Sequence, residues 1–263
     1  MSSFVKLDWL DPYKAFASRL QLSRHAMRLS FDEAFRAYLR CHELLKQELW
    51  VNCPVDPAEW LLAEATGESP ELIEPGQIQD FHYEAQVEDA LADHQASSVL
   101  LFVDDALQSL ARGLLRKEHK TLDGYGPRYE DVRDRSKPVA LSTLLRAATN
   151  TIRHLSEWDD PKFPFPYPVA GHCKESACQV CRAIPNIDVI QRTFGIGIHE
   201  RLRDVVSMRV LIKVDNRLGS DPGPSYENFE NALIAAAYEV ASRAGDVATE
   251  RFKESILTIS RQS

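Results

Sequence analysis

Five polar side chains fall on one side of the helix that the residue spacing predicts over 141–158, LSTLLRAATNTIRHLSEW. They are Arg146, Asn150, Arg153, His154 and Glu157, and at 100° per residue they lie within about a third of a helical turn. A guanidinium stays charged and binds two phosphate oxygens at once, and an imidazole exchanges protons near neutral pH. The set can therefore hold a phosphate and move a proton, although an ordinary solvated helix face has the same composition.

Metal-independent RNA cleavage is a reaction that would use all five residues. It needs a proton acceptor for the ribose 2′-hydroxyl, a proton donor for the leaving oxygen, and cations for the charge on phosphorus. His154 is the candidate general acid and base, and Arg153 is the candidate phosphate-binding cation, with Arg146 as a second candidate. Asn150 lies four residues before His154 and can orient the ring or hold a phosphate oxygen. Glu157 lies four residues after Arg153 and can fix its guanidinium.

The string Asn150-x-x-Arg153-His154-x-x-Glu157-Trp158, on a helix that follows a long bundle helix, resembles the HEPN superfamily of small α-helical proteins. The resemblance covers roughly residues 81–158, together with the C-terminal helices that would complete the bundle. It implies a ribonuclease of a toxin–antitoxin, antiviral defence or stress system that acts on RNA as a homodimer, with the active site across the interface. It also implies that His154 and a nearby arginine cut RNA with no cofactor, while Asn150 supports them. The chain departs from the family in the spacing between its arginines and His154.

A polar helix face that contains aromatic residues also suits docking onto another protein. The alternative function is therefore a non-catalytic helical interaction module, such as an antitoxin, an adaptor or a regulatory subunit. Such a module would form a stable complex with a cognate partner protein and would turn over no RNA.

A cluster of soft metal ligands lies in the segment that follows the polar helix. His172, Cys173, Cys178 and Cys181 fall within ten residues, and Cys178 and Cys181 have the Cys-x2-Cys spacing of a zinc knuckle. This cluster predicts a possible structural zinc site, for which thiols that bind nothing are the alternative. The total of five cysteines is odd, which favours reduced thiols and a cytoplasmic location over a disulfide framework.

The charge is distributed unevenly along the chain of 263 residues. The net charge of −8 argues against indiscriminate nucleic-acid binding. Residues 1–111 hold 8 basic and 19 acidic residues, a net of −11, whereas residues 112–146 hold 9 basic and 5 acidic residues, a net of +4. The basic stretch leads directly into the polar helix. It can attract a polyanion locally, or it can be a solvated loop with a few arginines.

The remaining pattern predicts a mostly α protein, an antiparallel helical bundle with an additional helical N-terminal section and a Pro/Cys-rich surface excursion. We expect an acidic N-terminal section over 1–75 and a HEPN-like bundle over 80–263, with an irregular insertion at 159–185. The linker is expected at 68–79, because Pro70, Pro75 and Gly76 lie there. Helices are predicted at 11–29, at 30–50, from 56 to about 67, at 81–119, at 141–158, at 198–216 and at 225–260, with a bend at Gly245.

The longest apolar run, VLLFV at 99–103, is too short to cross a bilayer, and the first residues show no secretory signal. Asp104 and Asp105 follow this run, but no Glu-x-x-His motif accompanies them, so a di-iron carboxylate bundle is not predicted. The segment FGIG at 194–197 has no preceding strand and no third glycine, and it is read as the turn that enters the next helix.

Overall fold

The computed structural model describes residues 11–51, 75–115, 124–158, 179–196, 206–215 and 224–260. This part of the chain is mostly α-helical, as the sequence predicts. In chain order the elements are helix α1 (Pro12–Val51), helix α2 (Pro75–Leu114), strand β1 (Arg128–Tyr129), strand β2 (Val139–Ala140), helix α3 (Leu141–Trp158), helix α4 (Gln179–Phe194), helix α5 (Val206–Asp215), helix α6 (Tyr226–Ala244) and helix α7 (Asp246–Ser260).

Helix α1 begins where the sequence predicts but does not end there. The carboxylate of Asp11 accepts hydrogen bonds from the backbone N–H groups of Tyr13 and Lys14, at 3.1 and 3.2 Å, and thereby caps the helix. The predicted break near Ser30 is wrong, because the helix continues to Val51. Residues 13–51 contain neither glycine nor proline, and Phe31, at the expected break, is fully buried. Packing of that ring holds the chain in one helix.

Helix α2 runs antiparallel to α1. Arg19 pairs with Asp105 at one end of the contact and Arg40 pairs with Glu88 at the other. Residues 75–79 were expected in a linker, but Pro75 opens the helix, a position where proline loses no hydrogen bond. Near its end, a Cβ atom added at Gly113 would lie 2.5 Å from the Cβ of Pro12, so glycine permits the close approach of the two helices.

The charged loop before the polar helix folds into a small hairpin. Strands β1 and β2 pair antiparallel, with Arg128 opposite Ala140 and Tyr129 opposite Val139. Between them, the buried carboxylate of Asp131 accepts backbone hydrogen bonds from residues 133 and 134, at 2.9 and 3.0 Å. This hairpin delivers the chain directly into the first residue of α3, so the start of that helix is fixed.

Helix α3 has the bounds that the sequence predicts, 141–158. The expected irregular insertion at 159–185 is wrong in its last part, because α4 begins at Gln179 and contains Pro185 in its first half. Gly195 does not enter a helix as expected. It ends α4 with a φ of +68°, and the N–H of Ile196 donates to the carbonyl oxygen of Gln191, which is the hydrogen-bond pattern of a glycine helix cap.

Helices α5, α6 and α7 complete the described bundle. The segment 206–215 is helical, which confirms helix over strand for VSMRVLIKV. Ser225 caps α6 by accepting a hydrogen bond from the N–H of Asn228, as predicted. The expected bend at Gly245 is a complete break, since Gly245 has a φ of +114° and separates α6 from α7.

One hydrophobic core joins all seven described helices, so α1 packs into the same core as the helices of 80–263. Its largest fully buried side chains include Phe16, Phe31, Leu100, Leu107, Leu144, Leu145, Ile190, Phe229 and Phe252. No helix in the described part of the chain is long and apolar enough to cross a membrane. The predicted helix from residue 56 and the first part of the linker lie outside the described residues.

Candidate functional site: a cleft between α2 and α3

Helix α3 presents opposite faces to the core and to the surface, as its spacing predicts. Leu141, Leu144, Leu145 and Ala148 are buried in the core. This fixes the rotation of the helix about its own axis. The side chains of Arg146 and Asn150 are consequently half-buried, and those of Arg153 and His154 are exposed.

A cleft of about 300 Å³ lies between this polar face and helix α2. Seven side chains line it, four from α2 and three from α3. They are Asp104, Asp105, Gln108, Arg112, Arg146, Asn150 and Arg153. Three guanidiniums and two carboxylates give the lining a formal charge of +1, and the two amides add neutral donors and acceptors. Three of the five residues singled out on α3 therefore share one cavity.

Asp104 is the buried carboxylate of the cleft, with only 3% of the residue exposed. Its Oδ2 atom accepts a hydrogen bond of 2.9 Å from the hydroxyl of Thr149, and its Oδ1 atom accepts one of 3.3 Å from the amide of Gln108. The Nη1 atom of Arg153 lies 3.8 Å from Oδ2. A buried carboxylate needs hydrogen-bond donors and a cation of this kind, because it has lost its contact with water. Asp104 therefore ties helix α2 to helix α3 at the centre of the cleft.

Asp105 faces in another direction, toward α1. Its Oδ2 atom accepts a hydrogen bond of 2.9 Å from Arg19, and its Oδ1 atom lies 3.9 Å from Arg112. All three side chains are substantially exposed, so water weakens these ion pairs. Arg112 also donates from Nε to the carbonyl oxygen of Gln108 and from Nη2 to the hydroxyl of Ser109, at 3.3 and 3.4 Å, while 73% of its side chain stays exposed.

Arg146 and Asn150 occupy the wall formed by α3. Arg146 makes no ion pair with any residue in the described part of the chain, although it is half-buried. Asn150 donates a hydrogen bond of 3.1 Å from its amide nitrogen to the side-chain oxygen of Asn186 on α4. That bond turns the amide toward α4 and fixes it. Arg146 is a cation that lines a polar cavity and pairs with no carboxylate among the described residues. Its position therefore suits the binding of an anion.

The remaining predicted site residues are placed less completely. His154 is exposed and is not among the described residues that line the cleft. It lies four residues after Asn150, which does line the cleft, and so falls on the same face of α3. Glu157 lies in the last turn of α3, but its side chain is outside the described part, and its predicted contact with Arg153 stays a prediction.

The predicted zinc ligands lie almost entirely outside the described residues. This holds for His172, Cys173 and Cys178, whereas Cys181 is in the first turn of α4 with a side chain that is not described. Among the side chains that are described, no three His, Cys, Asp or Glu residues are grouped to hold a metal ion. The zinc site stays a prediction.

Sequence reasoning missed the role of Asp104. The residue appeared only as half of an acidic pair, yet it organises the cleft. A signal was present, because Asp104 lies four residues after Leu100 and so falls on the apolar face of a helix whose neighbouring core positions are fully buried. A carboxylate at such a position requires partners, and an arginine or a hydroxyl from another helix is the usual kind.

Comparison with known proteins assigns the chain to no family, because no family model, no curated protein and no solved structure matches it.

Proposed function

We propose that the cleft between α2 and α3 binds a phosphate of RNA and that the protein cleaves RNA without a metal ion. The observation that carries this function is the convergence of Arg112, Arg146 and Arg153 on one cavity. Arginine is the side chain best suited to phosphate, because its planar group offers paired N–H donors and keeps its charge. Two of these arginines, Arg112 and Arg146, are the ends of the basic stretch 112–146, whose net charge of +4 adds to the attraction for a polyanion.

Arg146 is the principal phosphate ligand in this proposal. Since it has no ion pair within the described residues, a phosphate would not have to displace a carboxylate from it. Arg112 and Arg153 line the same cleft and contribute charge. Asn150 adds an oxygen or nitrogen for hydrogen bonding, and its bond to Asn186 keeps it in position.

His154, on the same face of α3, performs the proton transfer in this proposal. Its ring nitrogen takes the proton of the ribose 2′-hydroxyl, and the 2′ oxygen forms a bond to phosphorus. The bond from phosphorus to the 5′ oxygen breaks, and that oxygen takes a proton from solvent. The products are a 2′,3′-cyclic phosphate and a 5′-hydroxyl end. The arginines stabilise the extra negative charge that develops on the phosphate oxygens.

Two further features belong to the same proposal and come from the HEPN resemblance. They are a homodimer and a role in defence or stress. The cytoplasm is proposed separately, because the odd number of cysteines favours reduced thiols. The mass of the purified protein in solution, measured by light scattering after size-exclusion chromatography, tests the dimer directly. A monomer at all concentrations used for the activity assay would contradict the proposed dimer.

The experiment that tests cleavage uses purified protein, bulk tRNA and mRNA, and excess EDTA. Wild type is compared with His154→Ala and with His94→Ala, which changes an exposed histidine of α2 that does not line the cleft. We expect cleavage by wild type and by His94→Ala, with 2′,3′-cyclic phosphate ends, and none by His154→Ala. Equal cleavage by all three proteins would remove His154 from the mechanism.

A non-catalytic interaction module is the second candidate, and one observation favours it. Asp104 and Asp105 already contact Arg153, Arg19 and Arg112, so much of the polar face is satisfied within the protein. This function predicts that no RNA is cut by any variant and that wild type binds RNA no better than Arg146→Ala does. The matched control for that comparison is Arg36→Ala on α1, an exposed arginine away from the cleft.

A further inference from the structure

Arg153 is held near the cleft by a contact that is ionic but longer than a hydrogen bond. Its Nη1 atom lies 3.8 Å from Oδ2 of Asp104, whereas a charge-assisted hydrogen bond would measure about 2.7–2.9 Å. About half of the Arg153 side chain, 46%, is exposed. The guanidinium is therefore oriented by the carboxylate while its N–H donors stay accessible from the cavity.

Asp104 does not depend on Arg153 for its hydrogen bonds. Oδ2 accepts from Thr149 and Oδ1 accepts from Gln108, so each carboxylate oxygen keeps a donor when Arg153 moves away. This matters because a buried carboxylate left with no donor is strongly destabilising. Exchange of Arg153 from the carboxylate to another anion therefore leaves neither oxygen of Asp104 without a hydrogen-bond donor.

We infer that Asp104 is an internal competitor for Arg153, and that RNA binding exchanges the Arg153 guanidinium from the Asp104 carboxylate to an RNA phosphate. This inference rests on the proposed function, and it deepens it by naming how the cleft is regulated. In the free protein the carboxylate lowers the attraction of the cleft for anions. A ligand must supply a phosphate that binds Arg153 better than a fixed carboxylate 3.8 Å away does.

The competition gives the cleft a preference for polyanions. Each phosphodiester carries one negative charge, but an RNA strand held at Arg146 brings further phosphates toward Arg153, a second attraction that an isolated monoanion lacks. Asp105 is not an equivalent competitor, because its carboxylate is 57% exposed and contacts Arg19 and Arg112 instead of Arg153. The two neighbouring aspartates therefore offer a matched pair of substitutions.

The test measures binding of a fluorescent 2′-O-methyl single-stranded RNA, which cannot be cleaved through its 2′ oxygen, to the full chain at constant salt. Asp104→Asn keeps the size of the side chain and an oxygen for the hydroxyl of Thr149, but removes the charge. We expect it to tighten binding by about five- to tenfold, the low end of the range for coupled sites. The same change made in the Arg153→Ala variant should not increase the affinity for the RNA.

Asp105→Asn is the control for a general loss of negative charge. Any gain that it produces should persist when Arg153 is replaced by alanine, unlike the gain from Asp104→Asn. Unchanged or weaker binding by a folded Asp104→Asn variant overturns the inference, while the proposed function stands if wild type still binds RNA more tightly than Arg146→Ala. If wild type binds RNA no more tightly than Arg146→Ala does, both the inference and the proposed function are overturned.

A second measurement follows the wild-type chain itself, and a variant serves only to assign one signal. The 15N signal of the Arg153 guanidinium, identified by its loss in Arg153→Ala, is followed by NMR while the same RNA is added. We expect the signal to shift as the guanidinium moves from carboxylate to phosphate. A signal that does not move at saturating RNA would show that Arg153 stays with Asp104.

Discussion

The hydroxyl of Thr149 lies 2.9 Å from the Oδ2 atom of Asp104, and this hydrogen bond joins two helices whose contributing residues are 45 positions apart in the chain. Both residues are buried, at 0% and 3% exposure. The bond fixes the carboxylate that the Arg153 guanidinium faces, and so it fixes the floor of the cleft. The polar face of α3 is therefore more than a solvated surface, because part of it is paired with a charge on α2.

Thr149→Val should destabilise the protein by about 1–3 kcal/mol, because it removes the hydroxyl and leaves a buried carboxylate oxygen without its short hydrogen bond. The free energy of unfolding is measured by urea titration at neutral pH. Thr151→Val is the matched control on the same helix. Its buried hydroxyl donates only to the backbone carbonyl oxygen of Ala147, at 2.8 Å, so we expect a smaller loss. Equal losses for both variants would show that the bond to Asp104 has no special weight.

Gly126→Ala should destabilise the protein more than Gly124→Ala. Both glycines have positive φ angles, +88° and +94°, so alanine is strained at either position by about 1–3 kcal/mol. A Cβ atom at Gly126 would also lie 2.6 Å from the Cβ of Ala236 on α6, whereas at Gly124 it would meet nothing within 4 Å. The hairpin would have to move away from α6.

The measurement is the melting temperature of the two variants and of wild type under the same conditions. The drop for Gly124→Ala reports backbone strain alone, and the additional drop for Gly126→Ala reports the steric clash. If the two variants have the same melting temperature, the hairpin adapts to the added methyl group without loss of stability. The close approach to Ala236 then does not hold the hairpin in place.

The sequence predicts the positions of α3 and the cap of α6, because these depend on local signals. Leucine spacing sets the bounds and the rotation of α3, and Ser225 supplies a side-chain acceptor at the start of α6. Local signals do not predict where a helix ends when tertiary packing determines its length. The serine at position 30 has the residues of a helix start, yet Phe31 packs against Tyr226 and Phe229 from α6, with ring centroids 6.0 and 5.9 Å away, and the helix continues.

The candidate site is predictable only in part for the same reason. One helix face brings Arg146, Asn150 and Arg153 together, and the structure places all three in the cleft. The other wall comes from α2. No local pattern states which residue of α2 will lie opposite Thr149, because this depends on how two helices separated by a hairpin pack together. Asp104 is recognisable beforehand only as a charge on an apolar face.

Glu230→Gln should raise the melting temperature at neutral pH. Glu230 is buried on α6, and its burial raises the pKa of the carboxyl group above the usual value of 4.5, although Arg24, 2.8 Å away, opposes this shift. A raised pKa means that the folded state binds the proton more tightly than the unfolded state does. Stability is therefore lost as the pH rises above about 4.5, the ordinary value. Glutamine removes the ionised form and with it this loss.

The melting temperatures of wild type and Glu230→Gln are compared across a pH series from acidic to neutral. The advantage of the variant should be largest at neutral pH and should vanish below pH 4.5, where the carboxyl group is mostly protonated in the unfolded state as well. Glu250→Gln is the control, since Glu250 is 67% exposed and its ion pair with Lys253, within α7, contributes little to stability. A variant less stable than wild type at neutral pH would mean that the ion pair with Arg24 outweighs the cost of burial.

Arg146→Ala should reduce the salt dependence of RNA binding without lowering the stability of the protein. Each phosphate contact to a single strand adds about 0.7 to the slope of log affinity against log salt, because the contact releases bound counterions. Removing one contact should lower the slope by about that amount. The measurement is a series of binding titrations of the 2′-O-methyl RNA at increasing salt, for wild type, Arg146→Ala and Arg36→Ala.

Arg36 is a suitable control because it is 66% exposed on α1 and pairs with Glu33 within its own helix. Its loss should leave the slope unchanged, whereas general electrostatic attraction to the whole protein would lower the slope equally for both variants. An unchanged slope for Arg146→Ala, together with unchanged affinity, would mean that the RNA phosphate does not reach the cleft. Arg153 would then serve only to hold α3 to α2, through its ion pair with Asp104.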